Sequence, residues 1–81
     1  MYYLIQKFEH ESLIEDVLEG DTLKQAVENA FNDPKRDGYN ILGNDVEDTG
    51  MSVQDMLDWI LNDEDYEFTS IHTSHTPINS L

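Results

Sequence analysis

Thr22-Leu23-Lys24-Gln25-Ala26-Val27-Glu28-Asn29-Ala30-Phe31 decides the class of fold. Leu23, Ala26, Val27, Ala30 and Phe31 recur at i, i+3, i+4, i+7 and i+8, the spacing that gathers apolar side chains into one stripe of an α-helix. Thr22 and Gln25 form a Thr-x-x-Gln capping box at its start, and Pro34 forces an end, because the residue before a proline is pushed out of helical conformation. A helix with one apolar stripe needs a surface to bury it on. The residues before it supply one. Tyr2 to Phe8 is dense in aromatic and β-favouring residues and reads as a strand. Ser12 to Leu18 carries the pairs Leu13/Ile14 and Val17/Leu18, which fit a helical stripe as well as a strand; Gly20 and the short length favour a strand paired with the first.

The residues after Pro34 repeat the scheme. Tyr39 to Leu42 reads as a short strand, and Gly43 to Gly50 as an acidic loop. Ser52 caps a second helix, with Asp55 at its third position near the positive end of the dipole and Met51 and Met56 placed for a hydrophobic staple. Val53, Met56, Leu57, Ile60 and Leu61 form its stripe. It aligns with the first helix at an offset of 30 residues, which we read as two helices solving one packing problem rather than an internal duplication. Tyr66 to Thr73 alternates as a last strand, and the tail from Ser74 to Leu81, with Pro77, reads as frayed.

The expected fold is therefore α+β, one domain over residues 1–73 in the order β-β-α-β-α-β. Its sheet should be mainly antiparallel, of three or four strands, with both helices on one face. Along the first strand Tyr3, Ile5 and Lys7 share one side and Tyr2, Leu4, Gln6 and Phe8 the other, so both faces carry apolar residues. An aromatic face left exposed would favour a homodimer.

Charge is the second strong feature. The 81 residues hold eighteen Asp and Glu against four Lys and Arg, a net of −14, where roughly 2 to 8 units keep a small domain dispersed. The imbalance is uneven. Residues 1–36 carry eight acids and all four bases, whereas residues 37–81 carry ten acids and no base. Direct binding of nucleic acid by that half is excluded, since phosphate affinity comes from Lys and Arg. Asp45, Glu47, Asp48, Asp55, Asp58, Asp63, Glu64, Asp65 and Glu67 are the candidate partner-binding acids. Acids three or four apart on a helix lie about 5 to 6 Å from each other, close to the roughly 7 Å between successive phosphates of one strand, so the array can imitate a nucleic-acid backbone. The plainer alternative is a solvated face, although such a face ordinarily mixes both signs. Trp59 falls about 60° outside the apolar stripe of the second helix, counting 100° per residue. It reads either as an anchor for a basic partner or as a tryptophan at the rim of the core.

Other chemistry is poorly represented. His72 and His75 have a His-x-x-His spacing, but on a strand a separation of three puts the rings on opposite faces, and no third ligand is positioned by sequence. The segment Asp45 to Gly50 has the opening of a calcium loop, yet its twelfth position is Met56 rather than a bidentate Glu. No resident metal or cofactor is expected. There is no cysteine, no Gly-rich phosphate loop and no nucleophile-base signature, so an enzyme is not expected either. No stretch approaches the roughly 20 apolar residues of a membrane span, and Met1 to Lys7 lacks the features of a signal peptide. The chain reads as soluble and cytoplasmic, and anionic membrane surfaces should repel it.

Over eleven residues, Gly20-Asp21-Thr22-Leu23-Lys24-Gln25-Ala26-Val27-Glu28-Asn29-Ala30 resembles the strand-to-helix turn of HicB-type antitoxins. The chain departs from that family on both sides, lacking the Pro-Gly turn upstream and a DNA-binding tail, and no family is identified over the whole chain. In size and charge it is similar to the small acidic inhibitors that phages and plasmids direct against host nucleases, a likeness of class rather than of motif. Two functions follow as expectations. One is a non-enzymatic nucleic-acid mimic that occupies the basic surface of a nucleic-acid-binding protein. The alternative is an acidic adaptor or antitoxin-like subunit that meets its partner through an apolar sheet face.

Overall fold

The computed structural model describes residues 1–36, 40–62 and 66–78. Two eight-residue strands, β1 (Tyr2–Glu9) and β2 (Ser12–Glu19), form an antiparallel hairpin. The segment that the sequence leaves open between strand and helix is thus a strand. Its register places Ile5 opposite Asp16 and Lys7 opposite Ile14. The two-residue turn is built from His10 and Glu11 at φ of 46° and 66°, the left-handed conformations that match the twist of a tight hairpin but that side chains other than glycine and asparagine adopt reluctantly.

Helix α1 (Leu23–Phe31) follows after the sharp bend at Gly20. Thr22 caps it as expected, its hydroxyl oxygen accepting from the Gln25 amide at 3.0 Å. A side chain at Gly20 would place its Cβ 2.4 Å from the Ala26 nitrogen, so the close approach of strand end to helix requires glycine there. Ala26, Val27 and Ala30 are buried and Leu23 and Phe31 pack against the core from its rim.

The next segment departs from expectation. In place of one strand over Tyr39 to Leu42 in the main sheet, the strand covers β3 (Asn40–Ile41) and pairs with β4 (Asn44–Asp45) in a separate two-stranded ribbon; Tyr39 lies outside the described residues. The cause is local. Leu42 and Gly43 both have positive φ, 51° and 77°, so the chain reverses in a two-residue turn that joins Ile41 to Asn44 and closes the strand on its own neighbour. The expected loop over Gly43 to Gly50 likewise contains β4 and a single helical turn, α2 (Val46–Thr49), capped by Asp45 and ended by Gly50 at φ 68°.

Helix α3 (Val53–Asn62) buries Met56, Leu57 and Ile60, while Leu61, expected in the stripe, is exposed. Strand β5 (Phe68–Ser74) completes a three-stranded sheet in the order β2-β1-β5, antiparallel to β1. The architecture is the expected α+β, with three strands in the main sheet and a small ribbon beside it. The core lies between one face of the sheet and α1 and α3, and gathers Ile5, Leu18, Ala26, Val27, Ile41, Leu42, Met56 and Ile60. Among the described residues, no helix is long and apolar enough to cross a membrane.

Candidate interaction surface

The acids of α3 are positioned by the same contacts that start the helix. The Asp55 amide donates to the Ser52 hydroxyl at 3.1 Å and the Ser52 amide donates back to Asp55 Oδ2 at 3.1 Å, a capping box with Asp in the place usually held by Glu. One turn on, Asp58 accepts from the Gln54 side chain at 3.0 Å. Both carboxylates are exposed, on the side opposite buried Met56 and Ile60.

Asp45 is committed to structure. Its Oδ1 accepts from the amides of Glu47 and Asp48, each at 3.1 Å, so the stretch with the opening of a calcium loop is a capped helical turn. Glu47 and Asp48 themselves are exposed, in the first turn of α2 where negative charge is favoured by the dipole. Glu67 is exposed too, with its amide donating to the Phe8 carbonyl at 2.8 Å just ahead of β5. Asp63, Glu64 and Asp65 lie outside the described residues.

Trp59 is half-buried and turned towards the sheet. Lys7 Nζ sits 4.6 Å from the centre of its ring and 5.0 Å from that of Tyr66, whose ring meets the indole edge-on at 5.7 Å. The ammonium also donates to Thr69 Oγ1 at 3.1 Å, and Lys7 is wholly inaccessible to solvent. Sequence reasoning places Lys7 on the face of Ile5 but does not single it out. Its strand parity was the available signal, and the aromatic cage that desolvates it is assembled from distant positions. A desolvated cation–π contact is worth about 2 kcal/mol.

Arg36 is the second base withdrawn from the surface. Its guanidinium grips Asp16 through two nitrogens, at 2.7 and 3.2 Å, and donates to the carbonyls of Asn40 and Val17, each at 3.1 Å. Asp16 also accepts from the Leu42 amide at 3.1 Å, so this pair ties the β3–β4 ribbon to β2. Lys24 and Lys35 remain exposed, both in the first half of the chain.

The sheet face away from the helices is open. Across its three strands it presents rows in register: Leu13, Phe8 and Phe68; Glu15, Gln6 and Ser70; Val17, Leu4 and His72; Glu19, Tyr2 and Ser74. Phe8 and Phe68 stack at 5.2 Å, yet Phe68 and Leu13 are each 52% exposed. Glu19 beside Tyr2 raises the phenol pKa, first by accepting its hydrogen bond, with smaller contributions from desolvation and from the carboxylate charge. His72 Nε2 lies 2.7 Å from the Ser70 hydroxyl, and His75 lies beyond the end of β5. Among the described residues no group of three or more His, Asp or Glu is placed to hold a metal ion. Comparison with protein-family models, with curated proteins and with solved structures finds no match for the chain.

Proposed function

We propose that this is a non-enzymatic, cytoplasmic interaction protein whose acidic second half occupies the basic, nucleic-acid-binding surface of another protein, in the manner of inhibitors that phages and plasmids direct against host nucleases. The observation that carries this reading is the fate of the cations. Lys7 is buried under Trp59 and Arg36 is spent on Asp16, so half of an already small positive complement is withdrawn from the surface. Glu47, Asp48, Asp55, Asp58 and Glu67 are left exposed on a half of the chain that has no base of its own. Such a surface steers towards basic partners and repels nucleic acid and anionic lipid. Asp63, Glu64 and Asp65 belong to the same stretch of sequence, and Trp59 is the proposed anchor at its border. The test is capture of partners from lysate at low salt with the native chain and with Asp55→Asn, Asp58→Asn, Asp63→Asn and Asp65→Asn combined. Capture by the native chain that fades through a salt gradient and is lost in the variant supports the reading; equal capture by both overturns it.

The open sheet face favours a second reading, an adaptor that meets its partner through Leu13, Phe8 and Phe68. Burial of those side chains is driven by apolar area, so association by that route holds as ionic strength rises.

A further inference from the structure

The two edges of the sheet are treated differently. Along the second half of β2 the outward carbonyls are occupied: that of Val17 accepts from Arg36 at 3.1 Å, and that of Glu19 from the Asn29 side chain at 2.9 Å. A sheet edge capped in this way is a poor template for another strand over that half. At β5, among the described residues, no backbone partner lies on the outer side, and five of its seven residues are exposed. It carries none of the usual protection. There is no charge and no proline in β5, and residues 68–81 hold no Asp, Glu, Lys or Arg at all, although 22 of the preceding 67 residues are charged.

The orientation of the outer edge follows from the same contacts. Since the carbonyls of Val17 and Glu19 point away from β1, their partners Leu4 and Tyr2 turn their own backbone groups towards β5. The amide of Glu67 on the Phe8 carbonyl fits that parity. Leu4 pairs with His72 and Tyr2 with Ser74, so the residues of β5 that present N–H and C=O outward are Thr69, Ile71 and Thr73. All three are β-branched, the type that packs best on a pleated surface.

We propose that β5 is a homodimerisation edge, on which a second copy of this chain pairs its own β5 antiparallel about a two-fold axis at Ile71. In that register Ile71 faces Ile71 of the second copy and Thr69 faces Thr73, and each facing pair exchanges two backbone hydrogen bonds. Ser70 falls opposite His72 on the other face. A like-charged copy is the fitting occupant because the strand is self-complementary about its centre and lies in the longest acid-free stretch of a −14 chain, residues 68–81. One step outside the strand the same register sets Glu67 opposite His75, so acids do not meet across the axis. A two-fold contact uses the same edge of both copies, so pairing through β5 stops at two and does not run on into a fibre. The product is a continuous six-stranded sheet, formed from two sheets of three.

Sedimentation of the full chain over micromolar to millimolar concentrations tests this. The expected result is a monomer–dimer equilibrium whose dissociation constant falls several-fold as NaCl rises to about 0.5 M, because salt screens repulsion between the two acidic copies. That sign is opposite to the one expected for docking on a basic partner. Ile71→Lys, which sets two lysines face to face, should be monomeric with an unchanged circular dichroism spectrum. Since the chain has no native cysteine, Ile71→Cys should crosslink to itself under mild oxidation and Phe68→Cys should not, because paired Cα atoms lie about 5.5 Å apart in this register, within disulfide range. A native chain that stays monomeric at millimolar concentration in high salt overturns the proposal. So does an Ile71→Cys variant that crosslinks no faster than Phe68→Cys, or a dimer that survives Ile71→Lys but is lost in Leu13→Ser, which would assign association to the open face.

Discussion

The ammonium of Lys7 lies 4.6 Å from the centre of the Trp59 ring, with the sheet on one side and α3 on the other. Lys7 also bonds across to Thr69 on β5, so one buried cation links β1, β5 and α3. Taking a cation out of water is costly unless the surroundings replace its hydration, and here two aromatic faces and a hydroxyl take part in doing so.

The Lys7–Trp59 contact should appear as a coupling energy. Trp59→Leu is expected to cost about 2 kcal/mol, less than truncation of a fully buried aromatic because the indole is half-buried. In a double-mutant cycle with Lys7→Met, urea unfolding should return a coupling of about 1 to 2 kcal/mol. Additive effects of the two substitutions would mean that Trp59 packs independently of the cation. Its exposed edge would then be better read as a free anchor for a partner than as part of a clamp.

A second prediction concerns the Asp16–Arg36 pair, which is about four-fifths buried on each side. Arg36→Lys keeps the charge but cannot reproduce a two-nitrogen grip on the carboxylate together with bonds to two carbonyls. We expect a loss of about 2 kcal/mol in stability. The loss should be localised, because Asp16 also holds the Leu42 amide at 3.1 Å. Hydrogen exchange should therefore speed up at Leu42 and in the β3–β4 ribbon while the β1–β2 hairpin keeps its protection. Uniform loss of protection across the sheet would contradict a local tie.

How far the fold was legible follows from these contacts. Strands β1 and β5 and helices α1 and α3 are long enough for period 2 or period 3.6 to declare itself, and the Thr22 and Ser52 caps mark both helix starts; the paired apolar residues of β2 fit either period, and only Gly20 and the short length pointed to a strand. The β3–β4 ribbon has two residues on each side, too few for any period, and its turn depends on Leu42 adopting positive φ, which leucine composition does not announce. Lys7 and Arg36 were hidden for a different reason. The partners that desolvate or neutralise them stand 52 and 20 residues away, and residue type alone argues for exposure. For the acids the sequence was a better guide: Glu47, Asp48, Asp55, Asp58 and Glu67 are on the surface. What it left open was that Asp45 also holds a helix end.

The turns allow a prediction of opposite signs. His10 and Glu11 occupy left-handed conformations at roughly 1 kcal/mol each relative to residues suited to them, so His10→Asn with Glu11→Gly should raise the stability of the hairpin by about 1 kcal/mol. Gly20→Ala should do the reverse. The added Cβ would meet backbone atoms of Gln25 and Ala26 at 2.4 to 2.8 Å, and backbone cannot swing aside as a side chain can, so a loss of about 3 kcal/mol is expected. Thermal unfolding of the two variants beside the native chain reads both signs. A neutral Gly20→Ala would show that the junction of β2 and α1 can open without cost.

The last prediction is that salt raises the melting temperature of the dilute, monomeric chain at pH 7. Two contributions oppose each other: repulsion within a −14 surface, which screening relieves, and favourable ion pairs, which screening weakens. The structure tips the balance towards repulsion. Arg36 and Asp16 are only 20% and 22% exposed, so added ions reach that pair poorly, and the Lys7 cation is inaccessible to solvent. The acids that repel, by contrast, are exposed, and Asp55 and Asp58 stand three residues apart on α3, where such spacings are about 5 to 6 Å. About 0.5 M NaCl shortens the Debye length to about 4 Å, below those spacings, so the destabilising term should be largely removed while the buried pair persists. Sulfate or another strongly excluded salt would confound the result by strengthening apolar burial, and sodium chloride is the suitable choice. A melting temperature that falls with NaCl would mean that surface pairs of Lys24 and Lys35 outweigh the repulsion. The acidic surface would then be internally compensated, and its claim on a basic partner correspondingly weaker.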